Sequence, residues 1–126
     1  MKLGQRGICF AVLSALAFFA AFNPAASNAE NWATSTSFSN PTGVAVGYGG
    51  GVFVADSGND RIVKLNLAGA PQQVIGERGG GQAEFRSPGD VTIEPGGAIF
   101  IADTGNYRIQ RLYPSGQYQT EWGGEG

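Results

Sequence analysis

Asp56, Asn59 and Arg61 lie three and two residues apart, and Asp103, Asn106 and Arg108 repeat the arrangement. These are the side chains best placed to do chemistry. A carboxylate beside an amide and a guanidinium suits ion or carboxylate binding, but Asp-x-x-Asn-x-Arg supplies too few oxygens for a calcium loop. Asp and Asn flanking Gly58 and Gly105 instead favour tight turns, because their side chains bond nearby backbone amides and tolerate left-handed dihedrals. All six residues are therefore expected to stabilise turns, with each Arg pairing locally. The chain has no His and a single Cys, Cys9, which removes Ser/His/Asp triads, Cys/His nucleophile pairs and His-ligated zinc. No catalytic, cofactor-binding or metal-binding residue is assigned. The glycine runs at 49–51 and 79–81 lack a Lys-Ser/Thr sequel and a following helix, so they are turns and not phosphate cradles.

Those turns need strands to hold them, and the chain supplies the strands twice. Val52-Phe53-Val54-Ala55-Asp56 returns as Ile99-Phe100-Ile101-Ala102-Asp103, a period of 47 residues. Phe38 and Pro41 match Phe85 and Pro88, Val44 and Val46 match Val91 and Ile93, and Gly76 matches Gly123, all without a gap. A fixed period of this size marks units that cannot bury their apolar faces alone. Short apolar runs between turn residues predict four strands per unit. They are Gly43–Val46, Gly51–Ala55, Arg61–Asn66 and Gln72–Ile75, then Asp90–Ile93, Ala98–Ala102, Arg108–Tyr113 and Gln117–Trp122. The second strand of each unit is apolar on both pleat faces and needs cover on both sides. Sheets stacked around an axis provide that cover, so the expected class is all-β, with two four-stranded antiparallel propeller blades. Trp122, aligned with Ile75, is expected to pack in the core.

Two tandem copies, at about 38–84 and 85–126, resemble the NHL repeat, whose pattern runs from Phe-x-x-Pro through Val-Ala-Asp-x-Gly-Asn-x-Arg-Ile to a closing Phe/Trp-Gly. The resemblance implies a propeller, commonly of six blades, used for binding and sometimes for catalysis. Two blades would then be completed by self-association through their flanks, three chains closing one ring, or would form part of a longer ring. Enzymes similar to this family hold metal with His, which this chain lacks, so no catalytic residue carries over. The alternative is a part of a lyase- or hydrolase-like propeller enzyme whose catalytic residues lie elsewhere. Calcium held by Asp90, Glu94 or backbone oxygens near the channel is the one cofactor the resemblance leaves open.

Residues 1–29 read as a signal peptide: Lys2 and Arg6, an apolar run over 8–22 that is shorter than the ~20 residues a membrane span needs, and small residues before Glu30. The expected location is secreted or periplasmic, with no membrane span left after cleavage. Beyond the leader, six basic residues face ten acidic ones, a balance that disfavours nucleic acid and anionic membranes. Shared residues maintain the blades, so recognition is expected where the copies differ. Asp60 is replaced by Tyr107, and the linker contributes Arg78, Gln82 and Arg86. These five form the candidate binding face of a non-catalytic scaffold for a protein, a peptide or an envelope polymer.

Overall fold

A computed structural model describes residues 37–125. The predicted leader lies outside the described residues. Two four-stranded antiparallel meanders follow one another in the chain. The first comprises β1 (Pro41–Val46), β2 (Val52–Asp56), β3 (Arg61–Leu65) and β4 (Pro71–Ile75). The second comprises β5 (Asp90–Ile93), β6 (Ile99–Asp103), β7 (Arg108–Leu112) and β8 (Tyr118–Gly123). All eight expected strands are present. β1 begins two residues early because Pro41 pairs with Asp56 across a bulge, and Pro is tolerated at the first position of an edge strand. β2 and β6 run on to their Asp residues, which pair with Arg61 and Arg108 on the next strand. Single 3-10 turns at Ser57–Asn59 and Thr104–Asn106 join those strands. Among the described residues no helix is long and apolar enough to cross a membrane.

The pleat sorts each sheet into two faces. On one face of the first sheet, register aligns Ala55 with Ile62 and Ile75, and Ala45 with Phe53. Its counterpart on the second sheet presents Val91, Ile99, Ile101 and Leu112. Together with Phe85 from the linker these side chains form the buried core, a single layer between the sheets.

That layer is wedge-shaped. β1 contributes only Gly43 and Ala45, whereas β3 and β4 contribute Ile62 and Ile75. A Cβ on Gly43 would sit 2.8 Å from the Cα of Asp90, so β1 and β5 approach as closely as backbones allow. Thr42 Oγ1 donates to the Pro88 carbonyl at 3.1 Å across the same junction.

The remaining faces are apolar flanks. Val44 and Val46 on the first sheet are 65% and 64% exposed. The second sheet presents Phe100, Ile109 and Trp122. Here the expectation for Trp122 is corrected: it is half-exposed, stacked on Phe100 with ring centroids 6.2 Å apart and planes within 5°. Its alignment with Ile75 is real, but Ile75 is buried by the second sheet, and no third sheet among the described residues covers Trp122.

Candidate functional site

Antiparallel meanders place alternate turns on opposite rims, so the β2–β3 and β6–β7 turns share a rim with the linker that joins β4 to β5. The buried carboxylates organise this rim. Asp56 accepts from the Ser39 amide at 2.7 Å, from Asn59 Nδ2 at 2.8 Å and from Arg61 Nε at 2.8 Å. Asp103 repeats this with the Arg86 amide at 2.8 Å, Asn106 Nδ2 at 2.9 Å and Arg108 Nε at 2.8 Å. Both carboxylates are fully buried, and each reaches 17 residues back to the segment that leads into its own sheet. They therefore tie the turn to the preceding segment, a longer reach than the local bonding their spacing implies.

The second copy carries more bracing. Arg108 also donates to the carbonyls of Gly80, Gly81 and Glu84 and to Glu121. Gln110, fully buried, receives the Ala83 amide at 2.9 Å and donates to the Glu84 carbonyl at 2.7 Å. Gln110 escaped the sequence reading. Its signal was there, since Val63 occupies the matching position and a polar residue in a strand core must find partners.

The five candidate face residues do not converge. Tyr107, 68% exposed, and Arg86, also exposed, line one cleft of 410 Å³ with Asn106, Arg108 and Glu121. Gln82 is exposed outside that cleft. Asp60 is turned to structural use: its Oδ1 accepts from the Ser87 amide at 2.7 Å, and Arg78, itself 79% exposed, lies 3.9 Å from its Oδ2. Tyr107 adopts a left-handed backbone at φ 58°, as Asp60 does at φ 55°. Asp tolerates that conformation, whereas for a bulky aromatic residue it is an outlier. The second copy thus holds an aromatic where the turn itself would prefer Asp, Asn or Gly.

Asp90 and Glu94 are separated by the length of β5. Asp90 accepts from the Val91 amide and Glu94 pairs with Arg111 at 2.7 Å. Among the described residues no group of three or more His, Cys, Asp or Glu is placed to hold a metal ion.

The NHL repeat family profile matches residues 38–65 and 85–112, two tandem copies that coincide with the first three strands of each sheet. Among curated proteins no relative matches. A solved structure described as "Streptogramin B lyase structure" superposes with a TM-score of 0.54 at 20% identity, covering 68% of this chain. The match extends over 27% of that chain, so the likeness concerns the β-propeller fold and a part of its length.

Proposed function

From a chain that carries two tandem NHL repeats folded as adjacent β-propeller blades, we propose an exported, non-catalytic scaffold that binds a protein, peptide or envelope polymer through the rim holding Tyr107. Export rests on the leader sequence at 1–29. The binding reading rests chiefly on one observation, the exposed aromatic kept in a left-handed turn beside Arg86. A residue that strains its own turn points to a use outside the turn. Exposed Tyr and Arg are also the residue types that anchor interfaces. Selecting peptides from a random library on the full chain tests this. Tyr107→Asn should raise stability by about 1 kcal/mol through relief of the left-handed strain, yet lose the selected peptides. Arg86→Ala should weaken them with an unchanged melting temperature. Retention of the peptides by both variants would remove the rim from consideration.

The flanks support self-association of blades in the same reading. Shifted by one repeat, Phe100, Ala102, Ile109 and Trp122 stand where Phe53, Ala55, Ile62 and Ile75 are buried in the seam. Val44, Val46, Val52 and Val54 stand where Val91, Ile93, Ile99 and Ile101 receive them. The two flanks are thus matched to each other and not to themselves, which defines a head-to-tail contact that closes when the rotation permits. With six blades, three chains complete a ring. Light scattering on the full chain should give a trimer, and Phe100→Glu should give monomers, because it removes the ring that fills the seam and adds a second carboxylate beside Arg111, whose charge Glu94 already neutralises. An unchanged mass for Phe100→Glu would refute the contact.

A further inference from the structure

A concavity lies on the rim opposite Tyr107, and the repeat itself indicates what it holds. A groove of 560 Å³ runs along the seam between the two sheets, walled by Tyr48 and Leu67 of the first and by Pro95 and Pro114 of the second, with Phe53 and Lys64 at its base. Its size falls within the ~300–1,000 Å³ usual for small-molecule sites. All its walls come from one chain, so it does not depend on self-association.

The two copies share a cation over an aromatic ring here and differ in what neutralises it. In the second copy the Arg111 guanidinium lies 5.4 Å from the Phe100 centroid and pairs with Glu94 at 2.7 Å. In the first, Lys64 Nζ lies 5.6 Å from the Phe53 centroid. The position matching Glu94 is Gly47, and none of the ion pairs among the described residues includes Lys64. The first copy therefore keeps the cation, keeps the ring that orients it, and lacks the internal carboxylate. At the same turn it places Tyr48, 76% exposed, and on the adjoining β3–β4 turn Leu67, 75% exposed.

We propose that this groove binds a small organic carboxylate with an apolar body. The carboxylate takes the place that Glu94 fills in the second copy and accepts from Lys64 Nζ. The apolar body lies between Tyr48 and Leu67 on one side and Pro95 and Pro114 on the other. The charge fixes orientation, and the walls supply the hydrophobic contribution.

The contrast between copies also supplies the decisive variant. Gly47→Glu restores the internal partner. Gly47 does not need a left-handed backbone, and a Cβ there would lie 3.3 Å from Phe53 Cε2 and 3.6 Å from Ile93 Cγ2, a tight but buildable fit. The full chain is titrated with N-acetyl-L-phenylalanine and with N-acetyl-L-phenylalanine amide, following backbone amide resonances. The acid should perturb Tyr48, Lys64 and Leu67, and the amide should bind at least about tenfold more weakly, the loss expected when a charged hydrogen bond is removed. Gly47→Glu and Lys64→Met should each weaken the acid about tenfold or more, while Lys64→Arg retains it. Lys64→Met preserves the aliphatic stem packed against Gly51, so it reports on charge even if Gly47→Glu disturbs the turn. Equal binding of acid and amide, or undiminished binding by Lys64→Met, would overturn the assignment.

Discussion

Asp103→Ala should lower stability by about 3–5 kcal/mol, the usual loss when one partner of a buried ion pair is removed. The carboxylate is fully buried and its two oxygens receive four donors: the Arg86 amide, Asn106, Arg108 and, at 3.3 Å, Gln110. Arg108, with a side chain only 7% exposed, would keep its charge without its main counter-ion. Asp56→Ala provides the internal comparison. Its partner Arg61 is 20% exposed and can recover water, and Val63 stands where Gln110 would add a further donor. Urea denaturation of the two variants should therefore rank Asp103→Ala as the more damaging. Equal losses would mean that the Gln110 brace contributes nothing.

Phe85→Ala should cost a similar amount, about 3–5 kcal/mol, from lost burial and the cavity left behind. Phe85 is the largest fully buried side chain, and it belongs to neither sheet. It enters the core layer from the linker, held by its amide donating to the Glu77 carbonyl at 2.8 Å and its carbonyl accepting from Gly79 at 3.0 Å. Its ring packs against Gly76, whose φ of +84° and lack of a side chain make the space. Its repeat counterpart Phe38 is 41% exposed, so Phe38→Ala should cost only about 1–2 kcal/mol at the burial rate of apolar surface. The pair measures what the seam is worth, since chemistry and sequence position are the same and only the neighbouring sheet differs. A Phe85→Ala loss below that of Phe38→Ala would contradict the packing described.

The strands were legible because the repeat states each of them twice. The apolar run 52–55 alone is ambiguous, but its return at 99–102 between the same turn residues leaves only a strand. Asp56 and Asp103 were legible as turn residues from their neighbours. Their reach to Ser39 and Arg86 was not, because a contact 17 residues away depends on how the strands stack. The difference between copies at Asp60 and Tyr107 is one of several. On the third strand Gln110 stands against Val63, and on the opposite rim Glu94 stands against Gly47. Trp122 was misplaced for a related reason: alignment transfers a position within a sheet, while burial depends on whether another sheet follows. Asp60, grouped with Tyr107 by sequence, is drawn aside by the Ser87 amide, and Arg78 lies beside Asp60, contacts that no spacing rule would reveal.

Small residues at β1 and branched ones at β4 make the buried layer thin on one side and thick on the other, and the same gradient recurs from Thr92 to Trp122 on the open flank. Such a taper acts as a protractor. Each added unit inherits the angular step set by a few side-chain volumes, and the number of units in a full turn is 360° divided by that step. Enlarging Ala45 or Ala55 would change the divisor, and with it whether a growing stack meets its own beginning or climbs past it as a spiral.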